Sequence, residues 1–325
     1  MTPMLDPSHA DAGQLAHELA PALREACDGR LGEIRWFRTD WQRGGAATGY
    51  ADYAHECGTQ AEAVVKLPIG PDELRVLRDL SGKPGTPTPS VVASGFELGG
   101  YDLGWIVMER LEGPPLMANL AKNDILAMAD AMGRFYRIAS ETWELKTPND
   151  RPNWERLLEK SRENLRDNPV PNGQRWNECV KQTQRILPIL VQRWESREIN
   201  SWCHGDFHPA NALRRPENSP WGEPGVVLID FAETHSGHWV EDAVYLERLY
   251  WGHADKLHKQ KPVSLLARAR RREGLPVADD YATLASIRRV LMAACVPAFL
   301  HREGAPAYLD AALATMDRLL PQLAA

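Results

Sequence analysis

The nine residues CHGDFHPAN, 203–211, stand ahead of an apolar run, GVVLID, 225–230. A turn followed by a buried strand gathers Asp206, Asn211 and Asp230 from two short segments. Hard divalent cations take oxygen ligands, and magnesium is usually held by one or two carboxylates together with substrate phosphates. Asn211 lies five residues beyond Asp206, far enough for the turn to aim the two side chains separately. One can then hold a metal while the other accepts a proton, the division of labour that phosphoryl transfer requires. His204 and His208 have the i, i+4 spacing of a zinc pair on a helix, but Gly205 and Pro209 make the segment a turn. His204 is expected to be buried and to prop the loop. His208 either packs there too or approaches a transferred phosphoryl group.

Working outward, QLAHELAPALREAC carries Leu15, Leu19 and Leu23 on one helical stripe. From about Glu33 the pattern changes to strands, IRWFRTDW, GYADYAHE and EAVVKLP, separated by RGGAAT and CGTQ. Gly70 and Pro71 open a helix over DELRVLRDL, and VVASGFEL and LGWIVMERLEG read as two further strands. A lysine ending the apolar strand, Lys66, either meets an anionic partner or reaches water along its stem. Beyond Asn123 the chain is mainly helical, with Ile125, Met128, Met132, Phe135 and Ile138 on a core-facing side and a later helix expected to be interrupted at Pro188. The reading is therefore an α+β chain with a domain over 1–110 and a larger, mostly helical one over 111–325.

The run His204 to Asn211, with Ile229-Asp230-Phe231 after it, resembles the catalytic loop and metal-binding strand of the aminoglycoside phosphotransferase and choline kinase family, relatives of the protein kinases. RGGAATGY is similar to that family's phosphate-covering turn, EAVVKL to its lysine strand, DELRVLRDL to its glutamate helix and WIVMERLEGPPL to its hinge. The resemblance spans about residues 33–250 and implies a bilobal, protein kinase-like fold. The small lobe would hold an antiparallel sheet with one main helix. ATP and Mg2+ are the implied cofactors, with Asp206 as catalytic base and Asn211 and Asp230 as metal ligands. Lys66 would reach the phosphates and pair with Glu73, Gly44 and Gly45 would cover the phosphates, and the backbone of Met108, Glu109, Arg110 and Leu111 would hold the adenine. Glu73 follows Lys66 by only seven residues, a short connection for this fold. Gly205 replaces an arginine that meets the phosphorylated loop of regulated protein kinases, and the short interval from Asp230 to Asp242 has no room for a peptide platform. The acceptor implied is a small molecule bearing a hydroxyl: aminoglycoside-like, an amino alcohol or a sugar.

Glu233, Glu241 and Asp242 suit a cationic acceptor, or else form a solvated surface in which Asp242 ties down the loop. Trp154, Trp176, Trp194, Trp239 and Trp251 are expected in the core, with stacking on an acceptor as the alternative. A basic run, Lys256, Lys259, Lys261, Arg268, Arg270, Arg271 and Arg272, reads as an exposed helix or loop. The formal charge of −6 argues against a nucleic-acid partner. The five cysteines form no CxxC, and no uninterrupted apolar stretch approaches the ~18 residues of a membrane span. These features suit a cytoplasmic chain with reduced thiols and no membrane partner.

Overall fold

The computed structural model describes residues 12–38, 46–56, 58–147 and 152–324. The chain divides into two compact units, Met1–Met117 with Ala210–Thr234, and Ala118–Pro209 with His235–Ala325.

In the first unit, α1 (Ala12–Ala26) is followed by β1 (Arg35–Arg38), β2 (Ala47–Ala54) and β3 (Gln60–Leu67). Next come α2 (Pro71–Leu80), β4 (Val91–Leu98) and β5 (Tyr101–Glu109). The strands form one antiparallel sheet in the order β1-β2-β3-β5-β4. Period-two alternation buries Ala63, Val65 and Leu67 of β3 on one face, where Leu19 and Leu23 of α1 pack with them. Proline at the first position of α2 fits the helix backbone and gives up only an N–H that has no partner there. The same unit takes in a second ladder, β7 (Ala212–Arg215) paired with β8 (Gly225–Leu228).

The second unit is mostly helical: α3 (Lys122–Thr142), α4 (Trp154–Asp167), α5 (Gly173–Glu195), α6 (Val240–Leu249), α7 (Pro262–Arg272), α8 (Tyr281–Cys295), α9 (Leu300–Glu303) and α10 (Pro306–Leu323). A two-stranded ladder, β6 (Ser201–Cys203) against β9 (His235–Gly237), completes it. Pro188 does not interrupt its helix: α5 runs through it, held by the buried Ile186, Leu187, Leu190 and Trp194 on either side. Tertiary packing here outweighs the lost backbone bond. All five tryptophans named above are buried, four of them in the α4–α5–α8–α10 core.

The basic run is not a uniform surface. Arg270 is 0% exposed; its guanidinium donates to Ser201 Oγ at 3.1 Å and to the Asn200 and Pro276 carbonyls. Residues Tyr281–Glu303 are long and apolar enough to cross a membrane, but 61% of their most apolar window is buried inside the fold. The described cysteines, Cys27, Cys179, Cys203 and Cys295, are free and buried.

Candidate active site

Lys66 and Glu73 meet in the first unit. Lys66 lies at the end of β3 and Glu73 in the first turn of α2, and the ammonium stands 2.7 and 2.6 Å from the two carboxylate oxygens. The short connection is sufficient because the chain turns at once: the Ile69 N–H donates to the Gly104 carbonyl, and α2 starts two residues later. Glu73 is buried while Lys66 keeps 24% of its side chain exposed, so the charge is neutralised on one side and open to an anion on the other.

Asn211 and Asp230 are brought to one end of the β7–β8 ladder. Ala212 pairs with Leu228, and the Ile229 N–H donates to the Asn211 carbonyl at 3.0 Å, so the two residues flank the last rung. Asn211 is buried and Asp230 exposed, with Asp230 in the left-handed region at φ 64°. That conformation is uncommon for a residue with a side chain, though aspartate tolerates it better than most, and such backbone strain concentrates at functional positions. An amide and a carboxylate at adjoining strand ends are hard oxygen donors, the set that suits Mg2+.

The other end of this hairpin is fastened to the sheet. Arg215 of β7 and Glu109 of β5 are both buried and form a forked pair at 2.7 and 2.5 Å. Arg215 also donates to the Thr88 and Glu223 carbonyls, and Glu109 accepts from the Ser90 N–H. In the β7–β8 connection the Trp221 carbonyl accepts from the Ser90 hydroxyl at 2.6 Å, while at the Asn211 end of the ladder the Leu228 N–H reaches the Pro87 carbonyl at 2.7 Å.

Asp206 lies in the second unit, in the loop after β6. Its Oδ1 accepts from the Tyr245 hydroxyl of α6 at 2.5 Å and stands 3.4 Å from His208 Nε2. The loop is held from below by Asp242, also on α6 and 1% exposed. It accepts from the Gly205 N–H at 2.9 Å, the His204 N–H at 3.1 Å and the Tyr136 hydroxyl of α3 at 2.9 Å. Gly205 has φ 83°, which a side chain would make costly. His204 is fully buried, and its Nδ1 accepts from the Asp206 N–H at 3.4 Å. Burial raises the Asp242 carboxyl to about 6, against the pull of the Gly205 N–H, His235, Tyr136 and the His204 N–H.

The neighbouring Glu241 shifts the other way. Burial alone would raise it, but the hydrogen bond from His235, the charges of Arg288 and Arg197 and the His238 N–H hold it well below the ordinary carboxylate range. Cys203, His235 and Glu241 bring their ligand atoms within 4.8 Å of one another. Glu241 Oε1 already accepts from Arg197 at 2.9 Å and from the His238 N–H at 2.9 Å, so the cluster is an ion-pair network with its own cation.

The remaining expected residues are dispersed. Gly44 and Gly45 lie outside the described residues. Met108 and Glu109 end β5, with Arg110 and Leu111 just beyond it. The Glu109 N–H is bonded to the Ser90 carbonyl at 2.8 Å and the Arg110 N–H to the Glu62 carbonyl at 3.2 Å. The Arg110 guanidinium pairs with Glu62 and stacks over the Tyr50 ring at 3.9 Å. Glu233 is exposed in the turn after Asp230. Tyr136, Tyr245 and Arg215 are contacts that sequence reasoning passed over. Each meets its partner across a long stretch of chain, which no local pattern marks.

The model of the phosphotransferase enzyme family matches residues 53–286, and the chain belongs to that family. It is accordingly a phosphotransferase. A search of curated proteins found no significant match. Among solved structures, a candidate aminoglycoside phosphotransferase from Ralstonia eutropha JMP134 is 15% identical, with a TM-score of 0.58 and coverage of 95% of this chain and 98% of that one. Spectinomycin phosphotransferase APH(9)-Ia, solved with ADP and spectinomycin, is 14% identical, with a TM-score of 0.56 and coverage of 95% and 97%. A microcompartment-associated aminopropanol kinase is 16% identical, with a TM-score of 0.55 and coverage of 90% and 93%. These likenesses establish the fold, which is protein kinase-like as the catalytic-loop resemblance implied.

Proposed function

We propose that this phosphotransferase moves the γ-phosphoryl group of ATP to a hydroxyl of a small molecule, with Asp206 receiving the acceptor's proton. The observation that carries the reading is that Asn211 and Asp230 lie at the same end of the β7–β8 ladder, just beyond its Ala212–Leu228 rung, where a buried amide and an exposed carboxylate offer a magnesium-type donor set. Mg2+ bound there would neutralise charge on the nucleotide phosphates. Lys66, held by Glu73, orients the α- and β-phosphates. Because the N–H groups of Glu109 and Arg110 are spent on the sheet, the Leu111 N–H is the hinge donor assigned to the adenine. Asp206 holds the acceptor hydroxyl and takes its proton as the new oxygen–phosphorus bond forms and the bond to ADP breaks.

An amino alcohol, aminoglycoside or related polyol is the acceptor class favoured. The interval from Asp230 to Asp242 is too short for a peptide platform, and two structural neighbours are named for spectinomycin and aminopropanol. ADP release from Mg-ATP is the assay, run over a panel of spectinomycin, other aminoglycosides, 1-aminopropan-2-ol, choline and reducing-sugar amines. At least one should accelerate ADP release. Mg-dependent nucleotide binding with no turnover on any of them would instead indicate a kinase-like nucleotide-binding protein.

A further inference from the structure

We propose that the buried Glu109–Arg215 pair is a positioning device for the metal-binding hairpin, setting Asn211 and Asp230 in register with the strand end that receives the nucleotide base. The inference rests on the assignment of Asn211 and Asp230 as metal ligands made above. Nothing in that assignment requires the pair, whose atoms sit at the opposite end of β7 from Asn211.

The pair does more than fill space. A two-stranded ladder of four rungs is too small to hold its own orientation in water. Among the described residues it is tied to β5 and to the segment just ahead of β4 by the Glu109–Arg215 fork, the bond from Arg215 to the Thr88 carbonyl, the bond from the Leu228 N–H to the Pro87 carbonyl, and the bond from the Ser90 hydroxyl to the Trp221 carbonyl. Only the first has directional, charge-assisted bonds on both partners, and a guanidinium–carboxylate fork fixes orientation as well as distance. Its acid belongs to the 108–111 segment itself, so the strand end assigned to adenine and the ladder assigned to metal share one buried anchor. Groups that bond a metal ligand directly typically change metal affinity about 10- to 100-fold when removed, and an anchor four residues from Asn211 is expected at the low end of that range.

The test separates positioning from stability. Buried ion pairs can often be exchanged for apolar side chains of similar size without loss of stability. The double variant Glu109→Leu/Arg215→Met therefore keeps the anchor filled while removing its fork. Binding of a non-hydrolysable ATP analogue is measured calorimetrically with and without Mg2+, beside thermal melting. The expected result is that the affinity gained on adding Mg2+ falls about 10-fold, a ratio read within each protein and so independent of any change in melting or in metal-free binding. An undiminished Mg2+-dependent gain overturns the proposal. Should the double variant fail to fold, Arg215→Lys decides it, because lysine keeps the charge and loses the fork. The same selective loss supports the proposal, and an unchanged gain refutes it. Asp230→Asn guards the underlying assignment. If that variant keeps the Mg2+-dependent gain, the ligand assignment falls. If it loses the gain while the double variant keeps it, only the positioning role falls.

Discussion

Two buried acids each hold a loop that carries candidate site residues, and they do so by different physics. Glu109, in the first unit, is answered by a full cation, Arg215, in a forked pair. Asp242, in the second, is answered by two backbone N–H groups and a phenol. A hairpin held by opposite charges fails abruptly when one partner goes, because the survivor is left charged and buried. A loop held by several dipoles loses them one at a time. The first arrangement suits a part whose geometry must not vary; the second leaves the loop's support sensitive to protonation.

The largest effect expected concerns what the dipole-held loop presents. Asp206→Ala should reduce ADP release on an accepted substrate by about 1000-fold while leaving nucleotide affinity near that of the wild type. Comparable turnover in the variant would remove Asp206 from the role of base and with it the functional half of the comparison. On the charge-held side, Arg215→Met alone should lower unfolding stability by about 3–5 kcal/mol, measured by urea denaturation. A loss below about 1 kcal/mol would mean that Glu109 is relieved in some other way, and that the two acids are not different in kind.

These contrasts also show what could be read from the chain directly. Asp206, Asn211 and Asp230 could be picked out as candidates because the chemistry proposed for them depends on residue type at fixed spacing within one turn and one strand. The elements of the small sheet were legible from alternation and from the Gly70-Pro71 start of α2. The Lys66–Glu73 pair was harder, since seven residues looked too few until the turn at Ile69 closed the distance. Arg215–Glu109 and Tyr136–Asp242 were not legible at all. Each spans 106 residues, and no local pattern marks a buried arginine in ALRR or a buried tyrosine in GRFYRI. Pro188 misled for the same reason: its local cost is real, but burial on both sides of it decides the outcome.

A smaller effect sharpens the picture of the loop's upper face. Tyr245→Phe removes the donor to Asp206 Oδ1 and leaves the ring in place. A hydrogen bond to a charged group contributes about 1.5 kcal/mol, so turnover should fall about 10-fold with little change in melting temperature. Unchanged turnover would show that the carboxylate is held well enough by the rest of the loop.

The last prediction tests the dipole-held acid by pH. Burial raises Asp242 from its ordinary 3.8 to about 6, so the fold favours its protonated form more than the unfolded chain does. Its contribution to stability is therefore full below about pH 4 and is lost as pH rises through about 6. Over that window the change is at most about 3 kcal/mol, and solvent relaxation around the loop will make it smaller. Urea unfolding of the wild type and Asp242→Ala at pH 4 and pH 7 isolates this component, since other groups titrate alike in both. The stability difference should be larger at pH 4. If it grows toward pH 7 instead, the N–H groups of His204 and Gly205 and the Tyr136 hydroxyl outweigh the cost of burying the charge. Asp242 would then behave like Glu241 beside it, with dipoles serving where Glu241 draws on Arg197 and Arg288.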